Sequence, residues 1–405
     1  MKIALTLVAA MLTLSASAQN FDTYFADSTL RIDYTLSGDA HAQQIHLDKL
    51  NRYPGWAGRR NHLSEQAALG NGQLIMTDTL GQQVLYQTSF STLFQEWLCE
   101  PEARLVSRSF EHCVQVPFPK QPVLISLQLC NNRQQPICQL THRVDPADIL
   151  IHRIGERNLH PYRVLHKAAD PKKAIHIAFL AEGYQESEMD VFYRDCRTAI
   201  ESIFEHEPFK SLQERFTLLA VASPSRESGV SVPKRADWRQ TIFGSHLSTF
   251  YSDRYMTSLN MKDIHNALAG IPYEHIIVLV NTSEYGGGGI YNSYNLTAAH
   301  HPKFRPVVVH EFGHSFAGLA DEYQYGTPDG EEGQYPLDVE PWEANITTRV
   351  DSVKACRIGN FEGAGYKQKG VYRFQEDCRM RTNEYPVFCP VCQDALRRII
   401  LFYTE

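Results

Sequence analysis

His310-Glu311-Phe312-Gly313-His314 sets two imidazoles four residues apart, with a carboxylate directly after the first. On an α-helix, residues i and i+4 project from the same side, so both rings can reach one ion. Two neutral imidazoles and one carboxylate leave the fourth position of a tetrahedral zinc ion open to water, whose pKa the ion lowers to about 7. Glu311, beside the first ligand, is then the candidate general base. It can take a proton from the attacking water and pass it to the leaving amine. The expected cofactor is Zn2+ and the expected reaction is hydrolysis.

A third ligand is sought just downstream, where Gly318 interrupts the helical pattern and Asp321-Glu322 follow. Glycine tolerates a positive φ, so the chain can reverse there and carry a carboxylate back toward the ion. Asp321 is the expected third ligand and Glu322 its close competitor. Either could instead be a solvated acid or orient a histidine. Pro306 suits the first turn of the helix, and Val307, Val308, Phe312, Phe316 and Leu319 predict an amphipathic helix with one apolar face. HExxH alone is short and recurs in unrelated proteins, so its context carries much of the weight.

That context begins with an exported chain. Met1-Lys2, the apolar run Ile3 to Leu14 and Ser15-Ala16-Ser17-Ala18 predict a signal peptide over residues 1–18, cleaved after Ala18. The run is shorter than the roughly 20 residues a spanning helix needs, and no second long apolar stretch follows, so stable membrane insertion is not expected. A periplasmic, cell-surface or extracellular location is. The net charge of −7, with both signs well mixed, gives no basic stripe for phosphates, and nucleic acid is not an expected partner. Oligomeric state is not legible.

The 405 residues exceed what one core usually organises. Over residues 19–155 the dominant signal is period-two alternation, as in Leu30, Ile32, Tyr34 and Leu36 and again in Val123, Ile125, Leu127 and Leu129. Gly70-Asn71-Gly72 and Asp78-Thr79-Leu80-Gly81 punctuate the strands around Leu74–Met76 and Val84–Tyr86. An antiparallel β-sandwich is expected there. Over residues 165–405 the pattern changes. Ile175 to Leu180, Phe216 to Ala222 and Ile276 to Val280 are buried-type strands, and Ser187-Glu188-Met189-Asp190 is a capping box opening a helix that runs toward Pro208. An α/β catalytic domain with a mostly parallel sheet is expected.

Two further stretches suggest roles. Gly286-Gly287-Gly288-Gly289 strips side chains from the backbone, which suits either pairing with an extended substrate or a flexible loop. Tyr323, Tyr366 and Tyr372 are candidates for stabilising an oxyanion, though tyrosine more often packs. Of the nine cysteines, Cys356, Cys378, Cys389 and Cys392 crowd the C-terminal end. In an exported chain they predict structural disulfides. Cys389-Pro390-Val391-Cys392 lacks the strand of a redox CxxC and the second pair of a zinc knuckle.

The stretch from His310 to Tyr323, with Cys378-Arg379-Met380-Arg381 and Phe388-Cys389-Pro390-Val391-Cys392 downstream, resembles the M64 peptidases, often called IgA peptidases. The resemblance implies an N-terminal β-sandwich before a metzincin-like zinc-peptidase domain, and a methionine turn beneath the metal for which Met380 is the matching position. It implies a protein or peptide substrate, with immunoglobulin A or other extracellular proteins as candidates. One departure stands out: a residue more than in the usual metzincin pattern separates His314 from Gly318, although Asp321 keeps its offset from the glycine. The competing expectations are a surface adhesion protein with a vestigial or structural metal site, which has no need of Glu311, and a zinc hydrolase of cell-wall peptide amides.

Overall fold

The computed structural model describes residues 20–325, 336–351 and 359–405. The expected signal peptide and Cys356 lie outside the described residues.

The N-terminal half is built mainly of strands: β1 Phe25–Gly38, β2 Gln43–Pro54, β3 Gly72–Asp78, β4 Val84–Phe90, β5 Arg108–Pro119, β6 Val123–Cys130, β7 Pro136–Val144 and β8 His152–Arg153. Helices α1 Phe21–Tyr24 and α2 Leu93–Trp97 are short. The strands form two four-stranded sheets, ordered β5-β1-β2-β8 and β4-β3-β6-β7. Leu30, Ile32, Tyr34 and Leu36 of one sheet and Leu74, Met76, Ile125 and Leu127 of the other are fully buried in a common core. The alternation that predicted strands is thus the pattern that closes this core. The turn at Asp78 closes through Gly81 N–H to Asp78 O at 2.9 Å, with Gly81 at φ +69°.

Strand β1 departs from the expected polar outer face. Arg31 and Asp33, which alternate with the apolar set, are only 2 % and 1 % exposed. They form an ion pair of 2.8 Å, and Arg31 also donates to Asn266 Oδ1 at 2.8 Å. The second half of the molecule covers this face.

That half contains β9 Tyr162–His166, β10 Ile175–Glu182, β11 Phe216–Val221, β12 His275–Val280, β13 Gly287–Ile290, β14 Tyr294–Ala298, β15 Ile346–Thr347, β16 Phe361–Ala364 and β17 Lys367–Arg373. Its helices are α3 Met189–Phe204, α4 Met261–Ala267, α5 Phe304–Ala317 and α6 Pro390–Thr404. The six-stranded sheet has the order β13-β14-β12-β10-β11-β9. Its four central strands are parallel and both edge strands antiparallel. The molecule is therefore a mixed α/β protein with several sheets and few helices.

Side chains of the central strands alternate between two cores. Ile177, Phe179, Leu218, Ala220, Ile277 and Leu279 pack with helices α3, α5 and α6. Ala178, Leu180, Leu219, Val221, Val278 and Val280 join the core of the N-terminal sheets. A continuous apolar run is what a strand buried on both faces requires.

Two local expectations shift. The capping box lies at Gln185 and Glu188 rather than Ser187 and Asp190, with Gln185 N–H donating to Glu188 Oε2 at 2.7 Å. Helix α5 is not amphipathic. Val307, Val308, Val309, Phe312, Gly313, Ser315 and Phe316 are buried around its circumference, because α3, α6, β13 and β14 all pack on it.

Candidate active site

His310 and His314 lie one turn apart near the end of α5, and Gly318 terminates the helix with φ +62°. A Cβ on Gly318 would stand 2.5 Å from the Trp342 ring, a second reason for glycine there. The reversed chain brings Asp321 back over the helix. Asp321 Oδ1 lies 3.0 Å from His310 Nε2 and 3.2 Å from His314 Nε2, and the two Nε2 atoms are 3.0 Å apart. The carboxylate of Asp321, not that of Glu322, faces the imidazoles. The side chains of His310 and His314 keep 13 % and 14 % exposure, so the cluster opens to solvent.

Each imidazole is oriented from behind. His310 Nδ1 meets Arg379 O at 3.0 Å and His314 Nδ1 meets Leu319 O at 2.5 Å. A carbonyl can only accept, so each Nδ1 carries a proton, and in the neutral ring, the form a metal binds, each Nε2 offers a lone pair to the cluster. Tyr366 O–H donates to Asp321 Oδ2. The β16–β17 turn holds this segment by its backbone too, with Gly365 N–H on Asp321 O at 2.9 Å and Tyr366 N–H on Tyr323 O at 3.1 Å. Burial pushes Asp321 up, but His314 and His310 outweigh it and hold the carboxyl well below its usual range. Burial likewise pulls His314 down, and Asp321 outweighs it to leave the ring at about 9. Asp321 thus stays ionised and draws positive charge, a proton or a cation, onto the imidazoles.

Glu311 stands beside these residues, its carboxyl pushed up by burial. Gly287 and Gly289 of edge strand β13 allow the close packing: a Cβ on Gly287 would lie 2.4 Å from Glu311 Oε1, and one on Gly289 2.4 Å from Glu311 O. The glycine run is therefore a strand packed on α5 rather than a flexible loop. Its outer edge at Gly287 is already closed, since Gly287 N–H donates to Arg254 O at 3.1 Å and Met256 N–H to Gly287 O at 3.0 Å.

Gly313, inside the motif, has a comparable reason. A Cβ there would stand 2.7 Å from Met380 Sδ, so the methionine fits beneath the helix only because the residue is glycine. Met380 is fully buried, and its carbonyl accepts from Glu322 N–H at 2.8 Å.

A family model described as IgA Peptidase M64 matches residues 164–357 and 349–400, and one described as Peptidase M64 N-terminus matches residues 20–141. The chain belongs to the M64 peptidase family. No curated protein matches it.

This M64 chain also places residues at the site that local sequence does not signal. Arg254 lies over the rings of Tyr323 and Tyr325, 5.1 and 5.5 Å from their centroids, and its charge reaches Glu311 and Asp321. Glu96, on α2 of the N-terminal half, accepts from Tyr255 O–H and is pushed up to about 7 by burial. Among the tyrosines singled out from sequence, Tyr366 holds Asp321, Tyr323 stacks toward His310 with centroids 6.4 Å apart, and Tyr372 points to Glu362, away from the cluster.

The expected disulfides do not form among the described residues. Cys378, Cys389 and Cys392 are free thiols, as are Cys99, Cys113, Cys130, Cys138 and Cys196. Cys378, Cys389 and Cys392 gather with Glu322 in a second buried cluster, separate from the first.

Proposed function

We propose that this M64 protein is an exported zinc-dependent metalloendopeptidase in which His310, His314 and Asp321 hold one ion and Glu311 is the general base. The convergence of two Nε2 atoms and one carboxylate oxygen within 3.0–3.2 Å of one another carries this reading. Zinc bonds of about 2.0–2.1 Å in a tetrahedral set place such donors about 3.3 Å apart. Asp321 Oδ1 is buried against the two Nε2 atoms, which suits an oxygen that shares a cation with them. When bound, zinc supplies Lewis acidity and brings a water toward deprotonation near neutral pH.

The chain's own residues do the rest. Arg379 O and Leu319 O fix the imidazole tautomers, and Tyr366 fixes the Asp321 rotamer. Glu311, poised as a base by its burial, takes the proton of the attacking water and returns it to the leaving amine. Arg254 offsets negative charge as it develops on the scissile carbonyl oxygen. The glycine after the second histidine, the carboxylate three residues beyond it and Met380 beneath the helix support a metzincin-like relationship for residues 165–405. Residues 19–155 then form the N-terminal unit, and residues 1–18 the signal peptide. Among the described residues no helix is long and apolar enough to cross a membrane.

The substrate class is a protein or peptide. Immunoglobulin A, named in the family description, is the first to test, beside unrelated extracellular proteins and cell-wall peptides. Glu311→Gln should keep the metal content of the parent while hydrolysis falls by about 10²–10⁴-fold. A variant that cleaves as fast as the parent would remove Glu311 from the mechanism.

A further inference from the structure

We infer that Glu322, Cys378, Cys389 and Cys392 form a second metal site, closed and structural, whose occupant is zinc. The inference stands independently of the proposed hydrolysis.

Geometry separates this cluster from a disulfide. Cys378 Sγ and Cys392 Sγ are 3.8 Å apart, whereas bonded sulfurs lie about 2.05 Å apart. All four donor atoms fall within 4.8 Å of one another. Zn–S bonds of about 2.3 Å in a tetrahedron put sulfurs about 3.8 Å apart, and a sulfur about 3.5 Å from a carboxylate oxygen. Glu322 Oε1 lies 3.2 Å from Cys392 Sγ and 3.9 Å from Cys389 Sγ.

The surroundings favour thiolates. Cys378 Sγ accepts from the backbone N–H groups of Cys389 and Met380 at 3.1 and 3.5 Å, and Cys389 Sγ from Cys392 N–H at 3.5 Å. Cys389 also caps the N-terminus of α6, where the helix dipole stabilises negative charge. Arg373 and Arg379, both buried, face Glu322 and Cys378 respectively with positive charge.

Glu322 supplies an independent sign. It is fully buried, and Oε1 accepts from Asn345 Nδ2 at 2.9 Å, but Oε2 has no hydrogen-bond partner. A buried carboxylate among three thiols is costly unless a cation offsets it. Three sulfurs and one oxygen are a borderline-soft, four-coordinate set with no position left for water, which selects zinc and excludes a catalytic role. The cluster also explains why Cys389-Pro390-Val391-Cys392 has no second CxxC: its partners are Cys378 and Glu322, brought in by the fold.

An ion here would clamp two stretches that build the first cluster. Glu322 follows Asp321, and Cys378 precedes Arg379, whose carbonyl holds His310. The ion would thus fix the Asp321 loop to the Met380 turn.

The test uses the purified full chain, metal analysis and cobalt(II) exchange. Wild type should hold two ions per chain, and the cobalt form should show sulfur-to-cobalt charge transfer. His310→Ala, which leaves the cysteine cluster whole, should retain one ion and that absorption; Cys392→Ser should lose the absorption. Should Cys392→Ser fail to fold, wild type treated with a mercurial should release one ion as the three thiols are blocked. Absence of charge transfer in both wild type and His310→Ala, or a disulfide among the three cysteines by mass, would overturn the site. One ion per chain in wild type, with the sulfur signature and unaffected by His310→Ala, would leave this site standing and defeat the histidine site instead.

Discussion

Asp321 and Glu322 are consecutive in the chain, yet their carboxylates enter different donor clusters, one with two histidines and the other with three cysteines. Backbone bonds hold the pair in place: Gly365 N–H reaches Asp321 O, and Glu322 N–H reaches Met380 O. The two side chains leave the backbone in different directions, one to each cluster.

Tyr366 should matter through Asp321. Removing the hydroxyl frees Oδ2 and lets the carboxylate rotate away from the imidazoles. Tyr366→Phe is expected to weaken metal affinity or kcat/KM by about 10–100-fold, the usual effect of losing a group that orients a ligand. Competition with a chelator measures the first and peptide hydrolysis the second; parent-like values for both would assign Tyr366 to packing alone.

Gly287→Ala tests the contact between β13 and the proposed base. The added methyl would meet the far end of Glu311, which can swing aside, so stability should change little. Displacing that carboxylate by about 1 Å should lower kcat by as much as about 10²-fold while metal content stays normal. An unchanged kcat would show that Glu311 works equally well from a shifted position.

The Arg31–Asp33 pair ties β1 to α4 through Asn266. Asp33→Ala leaves the guanidinium buried and uncompensated, and should destabilise the protein by about 3–5 kcal/mol in urea unfolding. A loss under about 1 kcal/mol, the range of exposed pairs, would mean that water reaches Arg31.

Glu274 gives a pH dependence remote from both clusters. Burial pushes its carboxyl from the ordinary 4.5 up to about 8, so the folded protein holds this proton more tightly than the unfolded chain. Its contribution to stability is full below about pH 4.5 and is lost as pH rises through about 8. Glu274→Gln, which cannot ionise, should gain in urea midpoint relative to the parent across that window. Parallel midpoints at acid and alkaline pH would show that another group sets the trend.

Period-two and continuous apolar runs made the strands legible, because burial on one face or on two leaves different patterns in the residues themselves. The convergence of His310, His314 and Asp321 was legible for a similar reason: helical spacing and one glycine reversal place all three within a short stretch. Arg31 and Asp33 gave no such signal, since two charged residues facing a distant α4 look the same in sequence as two facing water. Glu96 and Arg254 reach the first cluster through tertiary packing, so local pattern carries no trace of them, and Tyr366, a candidate for the oxyanion, instead holds Asp321. Compartment alone points the cysteines to disulfides, whereas the fold sets the sulfurs of Cys378 and Cys392 3.8 Å apart beside Glu322, a proximity that sequence separation hides.

The central sheet buries its second face against the N-terminal strands, with Leu180, Val221 and Val278 in their common core. Such a segment cannot be shed as an activation peptide. Proteolysis in the connection near Asp145-Pro146 would leave two fragments held together by apolar surface, and stripping the first away would expose the floor of the catalytic half to water. Shedding the N-terminal half is thereby a poor route to activation for this architecture, because the central sheet rests on it.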